Sequence, residues 1–171
     1  MNKLKKLRKG YNMKLLRSSI GLTSVFLVAA CSSVPAQTSP DSSHWRLQNF
    51  LDNDLSETIR VYNFCYKEKQ SSFVSARDFT EGTHSIVARI TQHFNNVDSK
   101  SRDAFTTLNG HFENGKTYVF QNDIDGSEAT LWIADVDTGK PITSKKTVKL
   151  TIPEVVDNEQ YQSRRCAEST L

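Results

Sequence analysis

From residue 57 to residue 153 the apolar residues recur with period two, and this alternation constrains the fold more than any other feature. Thr147-Val148-Lys149-Leu150-Thr151-Ile152 alternates polar and apolar without a break. Ile86, Ala88 and Ile90 are spaced by Val87 and Arg89. Ile59, Val61 and Cys65 fall on one face of an extended segment whose other face carries Tyr62, Phe64 and Tyr66. Successive side chains of a strand point to opposite faces, so a period of two turns one set inward and the other outward. Residues 104–112, 116–121 and 129–137 are further strand candidates, rich in Thr, Tyr, Phe, Val and Trp.

Turn signals punctuate these runs. Glu113-Asn114-Gly115-Lys116 carries Asn-Gly, the dipeptide that tolerates positive φ and closes tight hairpins. Asp125-Gly126 and Asp137-Thr138-Gly139-Lys140-Pro141 are the next two. Six or seven short strands at this spacing predict an all-β fold, a single small β-sandwich or barrel-like domain over residues 57–153. That length buries a core without help from metals. Residues 44–56 are ambiguous. Leu47, Phe50, Leu51 and Leu55 fit helical spacing, while Trp45, Leu47 and Leu51 also fit alternation. A short helix or an irregular docking segment is expected there, and residues 154–171 read as a polar C-terminal tail.

At 171 residues one domain is expected, and a multi-domain enzyme or a polytopic membrane protein is excluded. The formal net charge of +3 is unevenly distributed. Residues 1–30 hold seven Lys and Arg and no acid, whereas the remainder holds 15 basic and 19 acidic residues, a net of −4. Ile20–Ala30 is an uncharged, mostly apolar run of 11 residues, too short for the roughly 20 that a spanning helix needs. A basic start, a short apolar centre and small residues at a cut describe a secretory signal.

The end of that run is more specific. Leu27-Val28-Ala29-Ala30-Cys31 resembles the lipobox of bacterial lipoproteins, with Val28 where Leu is commoner. The resemblance covers about residues 13–33. It implies cleavage between Ala30 and Cys31, a thioether-linked diacylglycerol on Cys31, and acylation of the new amino terminus. Two or more acyl chains hold a protein stably at a bilayer where one does not. Ser32 in place of Asp is compatible with transport to an outer membrane. Met13-Lys14-Leu15-Leu16-Arg17 would itself begin a compact signal, so the start of the protein is read as either Met13 or Met1. Residues 31–43, with the Ser/Pro/Thr-rich run Ser32–Ser43, then form the lipidated Cys and a flexible tether.

A second resemblance covers about 60 residues. Glu81-Gly82-Thr83-His84-Ser85-Ile86-Val87 is similar to a Pro-Gly-x-His turn and strand of small envelope β-sandwich domains, with Glu81 replacing Pro. Asn114-Gly115-Lys116-Thr117-Tyr118 and Leu131-Trp132-Ile133-Ala134-Asp135 are similar to their Gly-Lys-x-Tyr hairpin and following strand. This resemblance implies the fold and carries no activity.

With Cys31 lipidated, Cys65 and Cys166 remain as an even pair in an exported chain, where disulfides are favoured. A Cys65–Cys166 bridge would pin the tail to the sheet. The alternatives are a buried Cys65 with a free Cys166, or an intermolecular bridge.

Chemistry is sparse. An EF-hand-like alignment of Gln121 to Gly126 puts Asp123 and Asp125 at ligand positions, but Trp132 stands where a bidentate Glu belongs. An acidic hairpin turn is the better reading, and Glu128 does not rescue the site. His44, His84, His93 and His111 have no zinc spacing. There is no nucleophile elbow, Walker loop or dinucleotide fingerprint. No catalytic residue, metal or cofactor is therefore assigned. Lys140, Lys145, Lys146, Lys149, Arg164 and Arg165 form a modest basic cluster, read as solvated strand edges. A net of −4 argues against nucleic acid as a partner. The expectation is a lipid-anchored envelope protein, in the outer membrane facing the periplasm or the cell surface, with a non-catalytic binding or structural role. Its partner would be another envelope protein or a polysaccharide. Its contact loops would be Asn114-Gly115-Lys116, Asp123–Gly126 with Asp125, and Asp137–Lys140 with Gly139, since rigid scaffolds present function on loops. An inhibitor of a hydrolase such as lysozyme, or less readily an envelope enzyme, is the alternative.

Overall fold

The computed structural model describes residues 40–95, 100–153 and 159–171. The signal segment, Ala30, Cys31 and most of the tether lie outside the described residues. Two main sheets make up the fold. The first has five strands in the order β11 (Lys146–Lys149), β10 (Glu128–Asp135), β9 (Thr117–Asp125), β1 (Trp45–Gln48) and β6 (Ala76–Phe79). The second has four, in the order β2 (Phe50–Asn53), β3 (Glu57–Asn63), β7 (Gly82–Phe94) and β8 (Arg102–Phe112). A small pair, β4 (Cys65–Tyr66) and β5 (Lys69–Gln70), and one helix, α1 (Glu159–Cys166), complete the described elements.

The inner faces of the two sheets meet in one core. Leu47, Tyr118, Phe120, Leu131 and Ile133 come from the five-stranded sheet, and Val61, Ile86, Ile90, Leu108 and Phe112 from the four-stranded one. Trp45 lies between them and is fully buried. Its ring stacks on Phe112 at 4.2 Å, tilts against Phe79 at 4.9 Å and meets Tyr118 edge-on at 5.7 Å. A buried indole N–H needs an acceptor. Here it donates to the Thr80 carbonyl at 2.7 Å.

The segment 44–56 departs from the expected short helix or irregular docking segment and follows the alternation noted for Trp45 and Leu47. It is extended throughout β1 and β2, and it changes sheet at Asn49. Trp45 and Leu47 point inward and Phe50 packs on the core, but Leu51 is exposed and Leu55 fully so. The set that fits helical spacing is thus split between core and water. Asn49 makes the crossing possible. Its main-chain N–H donates to Ser75 O at 2.9 Å, its amide nitrogen donates to Val74 O, and its side-chain oxygen accepts from Asn63 N at 3.0 Å. One side chain satisfies the last amide of β3 and a carbonyl of the segment leading into β6, at the corner where ladder bonds are lost.

Two further expectations change. Asn114-Gly115 does not close a hairpin within one sheet, because β8 and β9 belong to different sheets. It is an arch between layers, with Gly115 at φ +76°. By contrast Gly126, at φ +59°, opens a two-residue hairpin loop between the paired Asp125 and Glu128. The expected face sharing of Ile59, Val61 and Cys65 also fails. The ladder of β3 with β7 ends at Asn63 opposite Ala88, and the chain turns away after Phe64. Cys65 then packs with Tyr62 and Phe64, while Tyr66 joins the core with Val61. At the other end of the domain Val148 and Leu150 point inward as expected, but Ile152 is exposed.

Asn49→Ala leaves the Asn63 N–H without its acceptor and should lower unfolding free energy by about 1–3 kcal/mol. Leu55→Ala, at a fully exposed position, should change it by no more than about 0.5 kcal/mol. Equilibrium urea unfolding checks both.

Candidate binding site

The residues read as a polar tail contain a helix. Glu, Gln and Arg in α1 are good helix formers, and Arg164 and Arg165 in its last turn complement the dipole. Eight residues are nonetheless too few to stay helical alone. Three attachments hold them. The Cys65–Cys166 disulfide forms with both residues fully buried, bridging 101 positions of sequence. Beyond the helix, Thr170 pairs with Ser85, its N–H donating to Ser85 O at 3.0 Å and its hydroxyl accepting from Ser85 N at 2.9 Å. The Leu171 carbonyl accepts from Lys67 N at 2.7 Å, and Leu171 packs on the core.

The helix covers part of the outer face of the four-stranded sheet. That face is not the polar surface that strict alternation predicts. Tyr62, Phe64, Cys65, Val87 and Cys166 form a second apolar cluster on it, with Phe73 and Phe105 against them. Arginines interleave with the rings. The Arg165 guanidinium lies 3.9 Å from the centre of Phe105 and 4.5 Å from that of Tyr161, whose hydroxyl it also bonds. Arg89 sits 5.2 Å over the other side of the cluster at Phe105 and 5.8 Å from Phe64. Arg60 stands 5.8 Å over Phe73. Such contacts fix the plane of a guanidinium and shield it from water.

The arginines differ in their partners. Arg89 donates to one Asp103 oxygen through Nε at 3.0 Å and a terminal nitrogen at 2.7 Å, and to the Tyr62 hydroxyl at 3.2 Å. Burial opposes its charge, but the Tyr62 oxygen and Asp103 outweigh that and hold its pKa above the ordinary arginine value. Among the described residues no carboxylate lies within ion-pair distance of Arg60, Arg164 or Arg165. The Arg165 Nε is buried without a hydrogen-bond partner. Between α1 and the sheet lies an open groove of about 470 Å³, floored by Val87 and Phe105 and walled by Tyr161, Arg164 and Arg165. At one end the Thr107 hydroxyl donates to Glu168 at 3.0 Å. A smaller depression of about 300 Å³, with Thr58, Arg60, Thr91 and His93, lies on the same sheet.

The three expected contact loops do not converge. Asn114-Gly115-Lys116 and Asp137–Lys140 meet at one end of the sandwich, where Val136 N donates to Thr117 O at 2.9 Å. Asp125-Gly126 is the tip of the β9–β10 hairpin at the other end of those strands, with Asp123 within β9. The first two loops use most of their polar groups internally, while the Asn114 amide nitrogen donates to Glu81 at 3.2 Å and its buried side-chain oxygen has no partner. Lys116 pairs with Glu113 at 2.6 Å and approaches Asp135 at 4.0 Å, and Gly115 N donates to His44 O at 2.8 Å. Asp135, unread in the sequence, organises this end. It accepts from the N–H groups of Thr138 at 2.9 Å and Asp137 at 3.0 Å, and Gly139 turns at φ +67° beside it. The Thr138 N–H is the main cause that holds the Asp135 carboxyl below its ordinary range, against the opposing effect of burial.

The histidines are scattered. His44 contacts Asp41 and Ser43, both at 2.8 Å and both through Nδ1. A nucleophile relay needs its acid and its hydroxyl on opposite ring nitrogens. This cluster is instead a turn cap, and the Ser43 hydroxyl bond is the first reason that the Asp41 carboxyl lies far below its ordinary range. His84 bridges Thr80 O at 3.0 Å and the Thr170 hydroxyl at 3.2 Å. No group of three or more His, Cys, Asp or Glu suited to a metal occurs among the described residues. The basic cluster of the C-terminal third is split. Lys146 and Lys149 are exposed on the edge strand β11, whereas Arg164 and Arg165 ride on α1 against the other sheet. Comparison with protein-family models, curated proteins and solved structures returns no match.

Reducing the disulfide, or replacing Cys166 by Ala, should cost up to ~4.7 kcal/mol on the chain-entropy model for a loop of about 100 residues. Hydrogen exchange should then show α1 amides unprotected while β7 and β8 keep their protection. Asp135→Asn should flatten the acid limb of the stability profile. A depressed carboxyl contributes stability that is full above the ordinary pKa near pH ~4 and is lost as pH falls below it. Urea midpoints between pH 2 and 7 (about one unit apart) would read this loss in the native chain and its reduction in the variant.

Proposed function

We propose that this chain is an exported, lipid-anchored envelope protein that acts by binding rather than by catalysis. The observation that carries the reading is the run Leu27–Cys31 at the end of a basic, then apolar, segment. A second feature supports it independently. A disulfide buried in the fold suits an oxidising compartment and would be out of place in a reducing cytosol. Cys31 then carries the lipid, residues 32–43 set the reach, and the β domain meets a partner at the envelope, in the outer membrane of a two-membraned cell.

The binding element is the groove under α1 rather than the turn loops. The loops around Asn114 and Asp137 spend their charged side chains and several N–H donors internally, and the Asn114 side-chain oxygen that stays without a partner is buried. The groove combines an apolar floor with two arginines that have no ion-pair partner among the described residues, the combination expected of a ligand site. Its volume falls in the range of about 300–1,000 Å³ typical of small-ligand sites.

Metabolic labelling with a fatty-acid analogue tests the anchor. The native chain should take up label in the membrane fraction, and Cys31→Ala should not. Equal labelling of the two, or none in either, would overturn the lipid assignment.

A further inference from the structure

The outer face of the four-stranded sheet runs against the average charge of the molecule. The chain after Ala30 has a net charge of −4. Yet this face and its covering helix carry Arg60, Arg89, Arg164 and Arg165 against Asp103, Glu159 and Glu168. Asp103 is committed to Arg89 and Glu168 accepts from Thr107. What remains is a groove with an apolar floor whose charged lining is the two guanidinium groups of Arg164 and Arg165 and the Glu168 carboxylate, a small positive excess, with the Arg165 guanidinium held against the Phe105 and Tyr161 rings.

We infer that the groove between α1 and β7–β8 binds the phosphate of a lipid headgroup, with Arg164 and Arg165 on the oxyanion and Val87 and Phe105 beneath its carbon skeleton. Arginine suits this role because its planar donors match phosphate oxygens in pairs. Stacking between Phe105 and Tyr161 holds the donors in place, so little side-chain entropy is lost on binding. A free anion would gain nothing from the apolar floor. The position of the groove favours a membrane source. The chain leading from Cys31 has joined the fold by Pro40, which is buried, and runs on to Trp45, whose indole donates to Thr80 O. His84 contacts that same carbonyl and, through its other nitrogen, Thr170 just beyond α1. The anchored end and the helix end therefore share one edge of the domain. The 14 residues from Cys31 to Trp45 reach no more than about 50 Å even when fully extended.

This inference uses the anchor to place the domain near a bilayer, but its test does not need the lipid. The chain beginning at Ser32 keeps every described element. In vesicle co-sedimentation it should bind phosphatidylglycerol–phosphatidylcholine mixtures and leave phosphatidylcholine alone unbound. Arg164→Gln, which removes no ring contact, should weaken binding at least fivefold at unchanged melting temperature. The Arg164→Gln/Arg165→Gln pair should weaken it more than tenfold. Lys146→Gln/Lys149→Gln, an equal charge loss on the other sheet, should weaken it less than twofold. A short-chain phosphatidylglycerol below its micelle concentration should shift the NMR signals of Phe105 and Tyr161 at lower concentration than inorganic phosphate does. Equal losses from the Arg and Lys pairs would reduce the effect to general surface charge and overturn the inference. So would phosphate binding as tightly as the short-chain lipid, or an acidic peptide displacing it from the groove. Loss of fatty-acid labelling with vesicle binding intact would overturn the anchor alone; intact labelling with no vesicle binding would overturn the groove alone.

Discussion

The fold depends on the seating of one short extended segment across both of its layers. Residues 45–53 run first in the five-stranded sheet and then in the four-stranded one, with Asn49 at the crossing. Trp45, at its start, touches Phe79 and Tyr118 of one sheet and Phe112 of the other. Aromatic burial of this size dominates a small core. The segment also fills the middle of its first sheet, pairing in parallel with β9 and antiparallel with β6. Without it the five-stranded sheet would fall into two pieces and the core would lose its largest side chain.

A second layer is built on that sandwich by covalent means. The outer face of the four-stranded sheet carries Tyr62, Val87 and Phe105 where water would otherwise meet it. A helix of eight residues cannot cover such a face by its own stability. The disulfide supplies what the helix lacks, and the Thr170 and Leu171 contacts finish the closure. The cover is partial. Arg165 shields one ring, and the incompleteness of the cover leaves an open groove instead of a sealed satellite core.

Much of this was legible in the chain. The alternation at Ile86, Ala88 and Ile90 reports their burial directly, and the even cysteine count that remains once Cys31 is set aside made the Cys65–Cys166 bridge the leading expectation, which the fold realises. The signals that failed did so for physical reasons. Leu47, Phe50, Leu51 and Leu55 mimic a helix because a strand that changes sheets also changes which side is inside. The β4–β5 turn carries no glycine, since Lys67 and Glu68 take positive φ themselves, at 51° and 62°, where the Lys67 N–H is drawn to the C-terminal carbonyl. The helix α1 has only Tyr161 and Cys166 as apolar residues, so no periodic stripe announces it. Asp135 looks like any strand-end carboxylate until the loop after it folds back onto its oxygens.

The chain by itself determined the all-β class, the buried set on most strands, an even pair of cysteines once Cys31 is set aside, and the contrast between basic residues 1–30 and an acidic remainder. Those properties are local in period, composition or count, and each residue reports them without reference to distant neighbours. Only the tertiary structure decided which sheet each strand joins, that Asn114-Gly115 arches between layers, and that Arg89 and Arg165 stack on Phe105. Each of these requires residues far apart in sequence to meet at ångström distances, as Arg165 and Phe105 do at 3.9 Å. A pattern of period two is silent about such meetings because it records a residue's side of a strand and not its partner across the fold.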